Sequence, residues 1–128
     1  MVRILIAEDD EEMRALLKDS LLEEGFEFDS AGNGSEAIRK FVEKPFDLVI
    51  TDIRMPGLTG LDILPRIKKL RPETLIIVIT AFGSEEVRRK SFDRGATAYL
   101  EKPISMNRLK ALVQEMISTK EKAARVYK

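Results

Sequence analysis

Two residue types that often carry chemistry are missing from this chain of 128 residues, which contains no cysteine and no histidine. The absence of cysteine excludes disulfides, thiolate metal ligands and cysteine nucleophiles. The absence of histidine removes the commonest metal ligand and the usual general base, and the chain cannot carry a phosphohistidine of its own. A metal site here would therefore rely on oxygen ligands, which favour Mg²⁺ or Mn²⁺ over zinc.

The chain also lacks an excess of charge of either sign and a long apolar run. Its 22 basic and 22 acidic residues give a formal net charge of +0. Without a basic surface or a membrane-spanning stretch, we expect this domain to bind neither nucleic acid nor membrane. The N-terminus shows no signal-peptide pattern, so the cytoplasm is the expected compartment.

The chain does contain enough apolar sequence for one folded domain. Hydrophobic residues make up 44% of its 128 residues, which suits a single domain with a real core. Apolar runs typical of strands alternate with stretches of helical periodicity. The predicted strands are residues 2–7, 26–30, 47–52, 75–80 and 98–101, of which 75–80 is the most apolar and is expected to be central.

A predicted helix follows each predicted strand. Residues that favour helix N-caps precede four of these helices: Asp9 or Asp10, Asn33, Ser84 and Ser105. The third helix contains Pro65, which removes a backbone donor and should kink this helix or delay its start. Residues 119–128 are charged and favour helix, and they either extend the last helix or begin a linker.

Five strand–helix units in succession predict an α/β fold. We expect a five-stranded doubly wound parallel sheet with strand order 2-1-3-4-5, flavodoxin-like, with helices on both faces. In such a sheet, ligands bind outside the carboxyl ends of the strands, where the strand order reverses. For this order, the reversal lies between the first and the third strand.

Charged and polar residues stand at the carboxyl ends of four predicted strands. Glu8 and Asp9 follow the first strand, and Asp52 closes the third. Thr80 ends the fourth strand, and Lys102 comes just after the fifth. Because the carboxyl ends of neighbouring parallel strands lie together, we expect these side chains to share one crevice.

The residue types in this crevice suit phosphoryl chemistry. Its three carboxylates repel each other unless a cation is present, and oxygen ligands with a phosphate oxygen are what Mg²⁺ prefers. Lys102 supplies a fixed positive charge and Thr80 a hydroxyl donor for phosphoryl oxygens. Asp52 is the central nucleophile, and a carboxylate that accepts a phosphoryl group becomes an acyl phosphate.

Four short motifs occur in order at these strand ends: Glu8-Asp9-Asp10, Asp52-Ile53-Arg54-Met55-Pro56-Gly57, Thr80-Ala81 and Lys102-Pro103. Together they resemble a response-regulator receiver domain of two-component signal transduction. The resemblance covers the chain from Val2 to about Ile117. It suggests a receiver domain over residues 1–118 and a helical extension or the start of a linker over residues 119–128.

The resemblance implies that Asp52 is phosphorylated by a sensor histidine kinase or a phosphotransfer protein in a Mg²⁺-dependent reaction, with Mn²⁺ as a substitute. The implied metal ligands are Glu8, Asp9, Asp52 and the backbone carbonyl of Arg54. Lys102 would pair with the phosphate. The chain would then be a signalling switch and not an enzyme, although it would assist its own phosphorylation and dephosphorylation.

The resemblance also implies a switch pair, Thr80 and Tyr99. On phosphorylation the Thr80 hydroxyl would move to the phosphate, and the Tyr99 ring would turn inward to fill the space left. The last two helices and the strand at Tyr99 would report this change to an output domain or protein, or through a phosphorylation-dependent homodimer. The alternative is that Tyr99 is an ordinary half-buried aromatic residue.

Two further positions modulate the lifetime of the phosphoryl group in this family, and here they are Arg54 and Phe82. Neither side chain is an acid or an amide that would position an attacking water, so we expect a long-lived phosphoryl state. Ala81 is small, which should leave the acceptor accessible.

Two other classes of protein fit part of the pattern. An aspartate-nucleophile phosphatase or phosphotransferase would also use Asp52, but such enzymes normally need a second acid two residues later, where this chain has Arg54. A receiver-like interaction module that accepts no phosphate is the other alternative. Such a module would have no need of the intact set Glu8, Asp9, Asp52, Thr80 and Lys102.

Overall fold

Five strands alternate with α-helices along the chain. The structure is a computed structural model that describes residues 1–126, without the side chains of residues 23 and 123–126. The strands are β1 (Arg3–Ala7), β2 (Glu27–Ala31), β3 (Leu48–Asp52), β4 (Leu75–Thr80) and β5 (Ala98–Glu101). The α-helices of this described part are α1 (Glu11–Leu21), α2 (Gly34–Glu43), α3 (Gly60–Leu70), α4 (Glu85–Asp93) and α5 (Met106–Val126). A short 3₁₀ helix, Leu22–Glu24, follows α1.

The strands form one parallel sheet in the order β2-β1-β3-β4-β5, which confirms the predicted fold class and strand order. One expectation needs a correction, because the middle position of the sheet belongs to β3 and not to β4. The strand β4 lies between β3 and β5, so it is interior, and burial on both faces is the reason for its apolar sequence.

Alternate residues of each strand face opposite sides of the sheet and build two hydrophobic cores. On β1, Leu5 and Ala7 belong to the core beneath α2, α3 and α4. Ile4 and Ile6 belong to the core beneath α1 and α5. All four side chains are completely buried. Helices therefore cover both faces, and the edge with the carboxyl ends of the strands stays available for a site.

The helix α3 begins well before Pro65, so the proline does not delay its start. A capping box sets the first turn. Thr59 Oγ1 accepts a hydrogen bond from the Asp62 N–H at 3.3 Å, and the Asp62 carboxylate accepts one from the Thr59 N–H at 3.0 Å. Of the two effects expected of Pro65, the late start is therefore wrong.

Pro65 still leaves one carbonyl of α3 without its helical donor. Because proline has no N–H, the carbonyl of Leu61, four residues earlier, cannot receive the usual bond. Arg94, the C-cap residue of α4, donates to this carbonyl instead, with Nη1 3.1 Å from the oxygen. The contact joins α3 to the end of α4 and offsets part of the cost of the proline.

The last helix, α5, continues to Val126, so residues 119–126 extend it. Residues 127–128, which the sequence placed in the same segment, lie outside the described part of the chain. The domain boundary at residue 118 stays a prediction. None of the helices in residues 1–126 combines the length and the apolar character that crossing a bilayer requires.

We expect Arg94→Ala to lower the free energy of unfolding by about 0.5–1 kcal/mol, because the Leu61 carbonyl loses its donor. In a Pro65→Ala background the new N–H of residue 65 can bond to Leu61 itself, so the same substitution should cost less. Urea denaturation of the double-mutant cycle measures this coupling. Arg39→Ala, on the exposed face of α2, should cost the same in both backgrounds. An equal cost of Arg94→Ala in both would contradict the account.

Candidate functional site

Glu8 and Asp52 leave neighbouring strands at the same end of the sheet. The parallel register of β1 and β3 places Ala7 beside Thr51. Glu8 follows Ala7, and its N–H donates to the carbonyl of Ala31 at the end of β2, at 3.0 Å. Asp52 is the last residue of β3. Only 2% of Glu8 and 8% of Asp52 is exposed, so their ionised carboxylates need a nearby cation.

Lys102 supplies this cation from the end of β5. Its N–H donates to the Thr80 carbonyl at 2.8 Å, which holds the segment after β5 against β4. Its ammonium lies 2.7 Å from Glu8 Oε1 and 2.7 Å from Asp52 Oδ2. The peptide bond between Lys102 and Pro103 is cis. Three of the residues singled out in the sequence are therefore in direct contact.

The ionisation of these groups reflects their burial. The pKa of Glu8 is raised to about 7, mainly because burial penalises the charged carboxylate, and the charge of Asp52 adds to the effect. The hydrogen bond from Lys102 acts in the opposite direction. Burial lowers the pKa of Lys102, but hydrogen bonds to Asp52 and Glu8 outweigh it and raise this pKa above its ordinary value. One ammonium thus serves two buried carboxylates.

Asp9 adds a third carboxylate at the solvent side of the crevice. Carboxylate oxygens of Glu8, Asp9 and Asp52 lie within 4.8 Å of one another. Asp9 is exposed, whereas the other two are buried. An all-carboxylate donor set with one member open to water fits Mg²⁺ or Mn²⁺. The backbone carbonyl of Arg54, the fourth expected ligand, stays a prediction.

The carboxylate of Asp52 is oriented by the loop that follows it. Its Oδ1 accepts hydrogen bonds from the N–H groups of Ile53, at 2.6 Å, and Arg54, at 3.2 Å. Within residues 1–126, its Oδ2 accepts only from Lys102, so Oδ2 keeps a lone pair for a new bond. Gly60 lets α3 approach this loop, because a Cβ at residue 60 would collide with the Asp52 carbonyl.

Thr80 is completely buried at the end of β4, next to the strand that carries Asp52. Its Oγ1 accepts a hydrogen bond from the Phe82 N–H at 3.1 Å. Phe82 is 59% exposed, and Cζ of Arg54 lies 4.0 Å from the centroid of its ring. This cation–π contact joins the segment after β3 to the segment after β4. The sequence singles out Arg54 and Phe82 separately, but no sequence pattern indicates that they touch.

Tyr99 on β5 is half-buried and packs against the core beneath α2, α3 and α4. Among the described residues its buried hydroxyl has no hydrogen-bond partner of acceptable geometry. Gly83 makes room for this hydroxyl, because a Cβ at residue 83 would collide with it. Burial, with a smaller contribution from the charge of Glu101, raises the pKa of Tyr99 above its ordinary value. This position suits both sequence-based interpretations of Tyr99, so its switch role stays a prediction.

Sequence patterns do not single out Arg14, yet its side chain contacts the acidic turn. Its Nη1 lies 2.7 Å from the carbonyl oxygen of Glu8, and 22% of its side chain is exposed. The available signal is a basic residue one helical turn after Asp10, the N-cap of α1. That pattern is equally typical of a solvated helix surface, so the contact could be found only in the structure.

Comparison with known proteins gives consistent matches over most of the chain. A family model of the response regulator receiver domain matches residues 4–114. The DNA-binding transcriptional regulator NtrC of Azospirillum brasilense is 39% identical over 116 residues, which cover 91% of this chain and 24% of that protein. The transcriptional regulatory protein ResD of Bacillus subtilis is 36% identical over 121 residues, covering 91% of this chain and 50% of that protein. The chain thus spans half or less of the length of these two relatives.

Solved structures of similar proteins share the whole fold. A CheY-like response regulator receiver domain protein from Methanospirillum hungatei JF-1 has a TM-score of 0.92 and 32% identity, over 96% of this chain and 98% of that chain. A receiver domain protein from Clostridium thermocellum has a TM-score of 0.86 and 32% identity, over 94% and 98%. With the family match over residues 4–114, these likenesses show that the chain belongs to the response regulator receiver domain family of two-component signalling.

Proposed function

We propose that this chain is a phosphorylation-dependent switch in which Asp52 accepts a phosphoryl group from the phosphohistidine of a sensor kinase or phosphotransfer protein. The observation that carries the proposal is the position of Lys102, whose ammonium lies 2.7 Å from both Glu8 and Asp52. An ammonium in this position offsets part of the cost of burying the Asp52 carboxylate. It also places a positive charge beside the atom that reacts.

In the proposed transfer, Asp52 Oδ2 attacks the phosphorus atom of the donor. A new oxygen–phosphorus bond forms, the nitrogen–phosphorus bond of the donor breaks, and the donor imidazole keeps the electron pair of that bond. The product is an acyl phosphate on Asp52. The N–H groups of Ile53 and Arg54 hold Oδ1, so the carboxylate keeps its orientation while Oδ2 reacts.

The charged residues around Asp52 have separate parts in this proposal. Lys102 passes from Asp52 Oδ2 to a phosphoryl oxygen as the new bond forms. Glu8, Asp9 and Asp52 would hold Mg²⁺ or Mn²⁺, with the backbone carbonyl of Arg54 as a further ligand. When bound, the divalent cation neutralises charge on the phosphoryl oxygens. Glu8 is buried and Asp9 is exposed, so Asp9 would be the ligand open to solvent.

The proposed switch depends on two alternative hydrogen bonds of the Thr80 hydroxyl. In the unphosphorylated protein its oxygen accepts from the Phe82 N–H. If the hydroxyl turns to donate to a phosphoryl oxygen, the segment that carries Phe82 loses this contact. Tyr99 lies against the same segment, with Gly83 beneath its hydroxyl. We propose that both residues then move and alter the face of α4, β5 and α5, which binds an output domain or protein.

The two rival functions fit these contacts less well. A phosphatase that uses Asp52 would need an acid two residues later, and that residue is Arg54, whose guanidinium lies on Phe82. An inert module would gain nothing from two buried acids around one lysine, since buried charges are costly unless they are used or fully paired. NtrC and ResD are transcriptional regulators by name, so we propose control of transcription through a further domain as the first output to test.

Incubation with acetyl phosphate and Mg²⁺, followed by intact-mass spectrometry, tests the acceptor. We expect one phosphoryl group on the wild type and none on Asp52→Asn, because an amide is not a nucleophile. Asp19→Asn, which changes an exposed acid on α1, should be modified like the wild type. Continuous release of phosphate without an adduct would support the phosphatase instead. Absence of any modification would support the inert module.

The lifetime of this adduct tests the contact between Arg54 and Phe82. We expect a long-lived phosphoryl group, which each of Arg54→Ala and Phe82→Ala shortens by about 2- to 5-fold, the equivalent of about 0.5–1 kcal/mol for an exposed cation–π pair. The double variant should lose no more than either single variant, because each single substitution already removes the same contact.

The matched control for this lifetime is Arg88→Ala. It removes a similar cation–π contact on α4, in which Arg88 Cζ lies 5.1 Å from the Phe92 centroid, and it should leave the lifetime unchanged. The measurement is the decay of the adduct by mass spectrometry after removal of the donor. A wild-type lifetime of only seconds in the presence of Mg²⁺ would contradict the expected long-lived phosphoryl group.

Tyr99→Phe tests the state of the switch before phosphorylation. The substitution removes a buried hydroxyl that has no hydrogen-bond partner among the described residues, so we expect the free energy of unfolding to rise by about 1 kcal/mol. Thermal and urea denaturation of the unphosphorylated protein measure this change. A loss of stability would show that the hydroxyl does bond, with the Ser84 N–H or the Glu101 carboxylate as the neighbouring partner.

A further inference from the structure

We infer that Arg14 is a positioning residue for the acidic turn, and that it holds the backbone of Glu8 so that Asp9 presents its carboxylate to a divalent cation. The guanidinium Nη1 of Arg14 donates to the Glu8 carbonyl at 2.7 Å. This inference rests on the metal binding proposed above. Arg14 is neither one of the three acids of the crevice nor one of the two residues that pair with the Lys102 ammonium.

The backbone of Glu8 is tied on both sides. Its N–H donates to the Ala31 carbonyl at 3.0 Å, where β1 is still paired with β2. Its C=O is past the end of the strand and receives the Arg14 guanidinium instead of a ladder hydrogen bond. The plane of the peptide that joins Glu8 to Asp9 is therefore fixed by Arg14.

This peptide matters because Asp9 stands between two fixed points. On one side is the Glu8 carbonyl, and on the other is Asp10, whose carboxylate caps α1 by accepting from the Glu12 and Met13 N–H groups at 2.9 and 3.2 Å. The Asp9 side chain itself is exposed, so packing does not orient it. Without Arg14 the peptide plane can rotate, and the direction of the Asp9 carboxylate changes with it.

The side chain of Arg14 is well placed for this task. Its backbone N–H donates to the Asp10 carbonyl at 2.9 Å in the first turn of α1. Its guanidinium reaches over Gly32, where a Cβ would lie 3.1 Å from Nη1. Glu11 is a loose partner, with its Oε1 3.8 Å from Nη2. A planar guanidinium can keep both contacts at once, which the single ammonium of a lysine cannot do in the same way.

The positive charge of Arg14 allows a purely electrostatic role to be distinguished from a positioning role. Arg14 is a cation beside a pocket that binds a cation, so its charge alone would oppose metal binding. If charge were its only influence, removal of Arg14 would tighten the binding of a divalent metal. If it positions the acidic turn, its removal weakens that binding. The two roles therefore predict opposite changes in the same dissociation constant.

Titration of the full chain with Mn²⁺, followed by the electron paramagnetic resonance signal of free Mn²⁺, measures this constant without any phosphoryl transfer. We expect Arg14→Gln to weaken Mn²⁺ binding by about 10-fold, as for other groups that orient metal ligands. Arg14→Lys should also weaken it although it keeps the charge. Glu11→Gln, which removes the loose partner but keeps the contact with Glu8, should stay within about twofold of the wild type.

Unchanged or tighter Mn²⁺ binding in Arg14→Gln would overturn the inference while leaving the proposed function intact. A wild type that binds no Mn²⁺ would overturn the metal site itself and the inference with it. Thermal denaturation of the variants identifies a merely structural role. In that case the variants melt at a lower temperature than the wild type, but the folded protein binds Mn²⁺ as tightly as the wild type does. If Arg14→Gln does not fold at the assay temperature, the constant measured for Arg14→Lys decides.

Discussion

The ammonium of Lys102 is the interaction on which the site depends. It pairs with carboxylates that lie 94 and 50 positions earlier in the chain, both at 2.7 Å. Loss of one partner from such a buried group typically costs about 3–5 kcal/mol, because an uncompensated charge stays behind. The sheet must therefore bring β1, β3 and β5 into this order and register before the three charges can coexist. The charge balance of the crevice therefore depends on the strand order of the sheet.

The same crevice contains more carboxylates than ammonium groups. One lysine faces two buried carboxylates, and Asp9 brings a third whose oxygen lies within 4.8 Å of the others. Burial has already raised the pKa of Glu8 to about 7, so part of the excess charge is relieved by protonation near neutral pH. In the proposed function, a divalent cation would supply positive charge that the crevice lacks, and a phosphoryl group on Asp52 would change the same charge balance.

The sequence predicts which residues share the crevice, but it does not predict the contacts of the long side chains around it. The acids, Thr80 and Lys102 stand at strand ends, and in a parallel sheet the strand ends meet, so the apolar runs and the helical periodicity were enough to predict a shared crevice. The contacts that long side chains make between elements carry no such period. The guanidinium of Arg94 on the Leu61 carbonyl and that of Arg54 on Phe82 were therefore found only in the structure.

The Arg54 side chain also connects the loop after Asp52 to the segment that precedes α4. Arg54 contacts Asp52 through its N–H, which lies 3.2 Å from Asp52 Oδ1, and contacts Phe82 through its guanidinium. Phe82 in turn donates its own N–H to Thr80. Asp52, Arg54, Phe82 and Thr80 thus form a continuous series of contacts. In the proposed function, a phosphoryl group on Asp52 would draw the Thr80 hydroxyl away from the Phe82 N–H, and its charge would act on Arg54. Both effects converge on the segment that precedes α4, so that segment is where the proposed change of state must begin.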